Sequence, residues 1–304
     1  MLSDEEIQLM EAIGASGSLT RAAASLGKAP STVSYTLRQI ETRFDALLFD
    51  RRRYRLQLTP AGALLVREAA RLRDDMQRLT RRVTQVAKGW EDRLRIVTDE
   101  VIEFETLLPV IQDFDALDSG VSLRVTHEVL GGTWEALAEG RADLVIGATN
   151  EPPAGISVQW RELGQMRWVY AVAPRHALAK AKGALTAEQM QAHRAVVVAD
   201  TSRRGEGRAY GHGAGQATLA VPSMAAKIEA QRAGLGVGWL PEARVASLLK
   251  RGELVHKTVA VPREPNTLYV GWRASDGRAL AWWLEKLNEP RLAARLVDGA
   301  DRYA

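Results

Sequence analysis

Gly17-Ser-Leu-Thr-Arg-Ala-Ala-Ala-Ser-Leu-Gly27, followed by Ser31-Thr-Val-Ser-Tyr-Thr-Leu-Arg-Gln-Ile-Glu41, decides how the chain begins. Ser18 has the hydroxyl that caps a helix, Ala22, Ala23 and Leu26 give it an apolar side, and Gly27 ends it. Pro30 suits the first turn of the next helix, where its missing N–H costs nothing. There Val33, Leu37, Ile40 and Phe44 fall on one face, a buried stripe. Ser31, Thr32, Ser34, Tyr35, Arg38 and Gln39 are left on the other. Two short helices joined through a tight glycine turn are a helix-turn-helix. Upstream, Ser3-Asp-Glu-Glu6 reads as a capping box opening a helix with Ile7, Met10 and Ile13 inward.

Charge is concentrated around the same stretch. Between Leu19 and Leu58, eight basic residues face three acidic ones, a local +5 in a chain whose net charge is only +4. Four of the eight, Arg51, Arg52, Arg53 and Arg55, sit in what reads as a hairpin after the third helix. Thr59-Pro60 then opens a long helix. Leu65, Ala69, Leu72, Met76, Leu79, Val83 and Val86 alternate four and three residues apart, the narrow seam of a coiled coil. That seam predicts a homodimer.

Beyond Trp90 the pattern becomes α/β. Strands are predicted at 94–98, 121–128, 143–147, 168–173 and 195–199, with helices at 107–114, 133–139, 186–191 and 224–233 between them. Such alternation favours mostly parallel sheets covered by helices. Gly205–Gly215 reads as an exposed loop. Trp282 and Trp283 fall in a helix near the C-terminus, one to pack inward and the other to cover an interface. Composition is that of a globular protein of about two domains, 46% apolar and 26% charged. No apolar run suits a membrane span and the acidic start is unlike a secretory signal, so a cytoplasmic location is expected. Without cysteine, disulfides, thiolate metal sites and a cysteine nucleophile are excluded. His127, His176, His193, His212 and His256 lack metal-ligand spacing and read as isolated, so no metal or cofactor is expected.

The chain resembles the LysR-type transcriptional regulators over nearly its whole length. The resemblance is carried by Gly17–Leu26, Ser31–Glu41, Leu48-Phe-Asp-Arg51 and Leu58-Thr-Pro-Ala-Gly62, in that order and spacing. Trp134–Gly147 and Ala233-Gly-Leu-Gly-Val-Gly-Trp-Leu-Pro241 support it further. It implies an α plus α/β fold: a winged helix-turn-helix over 1–59, a linker and dimerisation helix over 60–89, and a periplasmic-binding-protein-like effector domain over 90–304. Lobe I of that domain would comprise about 93–161 plus 267–290, and lobe II about 162–266. Crossovers are expected near Arg161–Leu163 and Asn266–Leu268.

The implied function is sequence-specific binding to double-stranded operator DNA, modulated by a small organic acid or aromatic. RNA polymerase is the implied partner, and dimers would pair into tetramers. Ser31, Thr32, Tyr35 and Arg38 would meet bases or nearby phosphates, with Arg38 suited to a bidentate guanine contact. Thr20, Arg21 and Ser34 would hold phosphate, and Arg51, Arg52, Arg53 and Arg55 the backbone or minor groove. One departure is that Ala29-Pro30 stands where many members carry Ser-Gln, so operator sequence does not transfer.

Ligands of open α/β sheets bind beyond the carboxyl ends of strands. That selects Thr98, Asp99, Gly131, Gly132, Thr133, Thr149, Thr201 and Ser202 for the effector, although each is equally readable as a cap or turn. Asp99, Glu100, Glu103 and Glu105 crowd the first of these loops. If they face the cleft they disfavour a strongly anionic ligand, leaving a neutral or aromatic effector level with a carboxylate. Two other readings are an enzyme built on the lobes and an architectural DNA binder with an idle sensor. Against the enzyme, the nucleotide-binding, nucleophile-elbow and zinc-protease motifs are missing, and Gly234-Leu-Gly-Val-Gly238 lacks dinucleotide spacing.

Overall fold

The structure, a computed structural model, describes residues 2–50, 56–203 and 212–299. Arg51, Arg52, Arg53 and Arg55 lie outside the described residues, as does most of the Gly205–Gly215 loop. The chain divides into two compact units at Thr84/Gln85.

In the first unit α1 (Asp4–Ser16), α2 (Leu19–Ser25) and α3 (Pro30–Phe44) precede a short antiparallel pair, β1 (Phe49–Asp50) and β2 (Gln57–Leu58), and α4 (Pro60–Ala87). Local chemistry sets each boundary. The Glu6 amide donates to Ser3 Oγ at 3.2 Å and the Ser3 amide to Glu6 Oε2 at 2.8 Å, a complete capping box. Gly17 closes α1 at φ 63°, Ser18 caps α2, and Pro30 occupies the first turn of α3. Leu9, Met10, Ile13, Ala22, Val33, Leu37, Ile40 and Phe49 form the core, each large side chain contributing roughly 1.5–3 kcal/mol of burial.

The stripe on α3 ends one turn earlier than its spacing suggests. Phe44 is 45% exposed, because Asp45 turns left-handed at φ 46° and the chain doubles back. Glu41 is buried in that corner, its Oε1 accepting from the Leu48 amide at 3.0 Å. Thr59 Oγ1 accepts from the Gly62 amide at 3.1 Å and donates to the Leu47 carbonyl at 2.7 Å, tying the start of α4 to this corner. Only glycine fits at Gly62, where a Cβ would overlap the Leu48 carbonyl oxygen.

The second unit carries three sheets. The first has strand order β4-β3-β5-β12-β6, built from β3 (Arg93–Asp99), β4 (Ser122–Glu128), β5 (Leu144–Ala148), β6 (Gln159–Met166) and β12 (Asn266–Trp272). β3 runs parallel to β4 and β5, whereas β12 is antiparallel to β5 and β6. Helices α5 (Phe104–Asp115) and α6 (Gly131–Ala138) make the crossovers between its parallel strands. α10 (Arg278–Lys286) and α11 (Pro290–Asp298) complete this lobe.

The second lobe holds β7 (Trp168–Val172), β10 (Gly238–Pro241) and β11 (Val255–His256) in order β10-β7-β11, beside the parallel pair β8 (Ala195–Val198) and β9 (Thr218–Val221). A 3-10 turn (Ala177–Lys180), α7 (Ala187–Gln191), α8 (Met224–Arg232) and α9 (Glu242–Lys250) cover it. The first sheet keeps β6 as far as Met166, beyond the crossover expected near Arg161–Leu163, since Asn266 still pairs with Met166. Trp283 is fully buried against Phe114, while Trp282 is only partly covered and lies under Lys286.

Candidate nucleic-acid interface and ligand cleft

On α3, burial of Val33, Leu37 and Ile40 turns the opposite face outward. Ser31, Thr32, Tyr35 and Arg38 are exposed, Tyr35 to 65%, and Ser34 is half-buried. The Arg38 guanidinium makes no hydrogen bond or ion pair among the described residues, so its five donors are open to a partner. Thr20 and Arg21 lie exposed at the start of α2, where the Arg21 guanidinium donates to the Ser16 carbonyl at 2.7 Å. Ala29 offers no side-chain cap to α3.

The α4 seam divides in two. Leu65 and Ala69 are spent on the core of the first unit. Leu72, Met76, Leu79, Val83 and Val86 are 54–70% exposed, an apolar line along one side of a 28-residue helix, about 42 Å long.

A cavity of about 110 Å³ opens beyond the carboxyl ends of the first sheet's parallel strands, closed on its other side by the second lobe. Asp99 and Thr149 line it; the other six effector candidates do not. Thr98 is buried with its hydroxyl on His127 Nδ1 at 2.7 Å. Thr133 is buried and its hydroxyl donates to the Leu130 carbonyl. Gly131, Gly132, Thr201 and Ser202 are packing partners across the lobes. A Cβ on Gly132 would overlap Thr201 Oγ1, which itself accepts from the Val129 amide at 2.8 Å.

Asp99 is a structural acid. Its oxygens accept from the Val101 and Leu130 amides, each at 3.1 Å, holding Leu130 at φ 54°, a region that side chains other than glycine rarely occupy. Burial pushes the Asp99 carboxyl up to about 7 against the opposing pull of those two amides. The crowd of acids also thins out. Glu103 pairs with Arg244 at 3.2 Å and Glu105 is exposed, and neither lines the cavity. Of the four acids, only Asp99 and Glu100 line the cavity.

The groups that sequence reasoning missed come from the other side. Lys227 on α8 is 5% exposed, lines the cavity, and has no hydrogen bond or ion pair among the described residues. Burial, then the nearby Arg263 charge, pushes its ammonium down to about 7. Arg263 lies 3.9 Å over the Trp168 ring and donates to Asn266 Oδ1 at 3.2 Å. Trp168 Nε1 donates to the same oxygen at 2.8 Å. Burial pushes the Arg263 guanidinium down to about 10. One sequence signal for Lys227 existed: a cation in the first turn of a helix with no acid beside it opposes the helix dipole.

The histidines are not all isolated. His176 and His193 meet edge to face with ring centroids 4.7 Å apart, and burial, then the charge of the neighbouring ring, lowers His176. No group of residues suited to a metal ion occurs among the described residues. Among them too, no helix is long and apolar enough to cross a membrane.

A helix-turn-helix with an open polar face, followed by a two-lobed α/β unit with a cleft, defines the class of ligand-responsive DNA-binding regulators. Residues 5–63 match the bacterial regulatory helix-turn-helix protein, lysR family, and residues 87–290 the LysR substrate binding domain. The chain belongs to the LysR family of transcriptional regulators, which are not enzymes. It is 32% identical over 282 residues to the regulator YeeY of Escherichia coli K12, covering 92% of this chain and 91% of that one. It is also 32% identical over 290 residues to the regulator PunR of the same strain, covering 95% and 94%. The full-length LysG structure from Corynebacterium glutamicum shares the fold at a TM-score of 0.53, with 23% identity over 98% of this chain and all of that one. An OxyR C206 mutant from the same organism aligns at a TM-score of 0.59 and 17% identity, over 96% and 93%.

Proposed function

We propose that the exposed face of α3 reads operator DNA in the major groove while the α4 seam, from Leu72 to Val86, joins two copies and sets half-site spacing. Ser31, Thr32, Tyr35 and Arg38 are assigned to bases, and Thr20, Arg21 and Ser34 to phosphate. Arg51, Arg52, Arg53 and Arg55 are assigned to the flanking backbone or minor groove. The domains would be 1–59, 60–89 and 90–304, with effector bound between the lobes at the Asp99–Lys227 cavity. Dimers would pair into tetramers in the cytoplasm and act on RNA polymerase. The observation that carries this reading is Arg38, exposed and unpaired among the described residues on a helix whose opposite face is fully buried.

The cavity also favours a responsive regulator over an architectural binder, because a purely structural lobe gains nothing from burying an unpaired lysine. Ligand must bind one arrangement of subunits better than another to alter DNA binding. Selection of operator DNA from a random pool, followed by footprinting of wild-type and Arg38→Ala protein, tests the assignment. Relaxed base preference at one position is expected; an unchanged sequence profile overturns it.

A further inference from the structure

The cavity contains one displaced charge arrangement that the fold does not need. Glu100 follows β3 in the first lobe, yet its Oε2 accepts from the Met224 amide at 3.2 Å. Met224 is the first residue of α8 in the second lobe. A carboxylate of one lobe therefore sits on the N-terminus of a helix of the other, where free amides and the helix dipole attract an anion. One turn further along α8, Lys227 reaches the same cavity with no partner among the described residues, and Arg263 stands beside it, fixed by Trp168 and Asn266. From the opposite lobe, Thr149 Oγ1 is buried at the cavity wall without a hydrogen-bond partner. Two basic side chains, a hydroxyl and a helix terminus thus converge on a space that Asp99 and Glu100 also line.

Resting on the reading of this cavity as the effector site, the geometry points to a small carboxylate as the ligand, bound to Lys227, Arg263 and the α8 N-terminus in the place Glu100 now holds. Glu100 is then an internal competitor that the ligand displaces, and its second function is to keep the lobes together while the site is empty. Arg244 reinforces that clasp, donating to the Glu100 carbonyl at 2.8 Å. Asp99 does not oppose the ligand strongly, since both its oxygens are engaged by backbone amides.

The test is calorimetric titration of the full-length protein with matched probes: acetate and acetamide, succinate and succinamide, benzoate and benzamide. At least one acid is expected to bind about tenfold or more tightly than its amide. Lys227→Met should erase that preference, and Arg263→Gln should reduce it if Lys227→Met fails to fold. Glu100→Gln should tighten acid binding about threefold or more and leave amide binding unchanged, because it removes the competing charge. An amide that equals its acid overturns the inference. So does a Glu100→Gln protein that binds acids more weakly, or one that binds none of them. Acids that bind as expected but leave the operator footprint unaltered would instead overturn the regulatory reading of the cavity and leave its chemistry standing.

Discussion

The recognition face of α3 and the cleft of the second unit hold cations in opposite ways. Arg38 stands in water, charged at no cost to folding, while Lys227 is buried without a counter-charge and is held near neutrality. The first arrangement separates binding from stability, since an exposed side chain can change without disturbing the core. The second couples them: a buried lysine without an ion-pair partner among the described residues weakens the fold that holds it. A regulator gains from both, because its DNA surface must be permanent and its sensor must be changeable.

Several measurements would break or sharpen that contrast. Salt should act most strongly, because phosphate contacts on the exposed surface release counterions. With six to ten such contacts, operator affinity should fall about 10³–10⁵-fold between about 50 and about 200 mM salt. A flat response in filter binding would remove phosphate as the main source of affinity. Next, Leu72→Glu with Leu79→Glu should separate the dimer in sedimentation and weaken binding to a two-half-site operator about a hundredfold or more, through lost effective concentration. An unaltered mass would remove the seam. Arg38→Ala should cost about 1–3 kcal/mol at one base pair and leave the unfolding midpoint almost unchanged. A large loss of stability would show that Arg38 is not the free side chain the contrast requires.

The effect expected from the cleft is seen in pH. Lys227 titrates at about 7 in the folded chain and near about 10.4 when unfolded. The unfolded chain therefore holds the extra proton between those values, and stability should rise with pH across that window, by up to about 1.4 kcal/mol per unit. Asp99 acts in the opposite sense: raised to about 7 from its ordinary 3.8, it makes stability fall as pH climbs between those limits. Glu100 and Arg263 face the same cavity and set the charge both groups feel. Together they place a stability minimum near neutrality. Lys227→Met should abolish the upper limb and leave the lower one. All eight tryptophans lie at or beyond Trp90, so fluorescence-monitored urea unfolding of the full-length protein reports this unit alone. An unchanged upper limb would mean that Lys227 is not buried as a cation.

Legibility in the sequence followed the same division. Ser3, Ser18, Pro30 and Thr59 announce α1 to α4 because a cap acts on amides two or three residues away. Phe44 was misread because its burial depends on the turn at Asp45 and the return of Leu48, which helical spacing does not contain. In the cleft, reading strand ends found Asp99 and Thr149, yet it missed Lys227, Arg263 and Asn266. Lys227 sits on α8, Arg263 just before β12 and Asn266 at the first residue of β12 where it pairs with β6, and none of these lies at the end of a parallel strand. The edge-to-face contact of His176 with His193 is hidden from the sequence for the same reason.

Gly62 has a mechanical meaning. With no side chain to hold it off, α4 rests directly on the backbone at Leu48, and Leu65 and Ala69 are locked into the same core as α3. The base of that rod and the exposed face of α3 therefore form one rigid piece, so neither can tilt without the other.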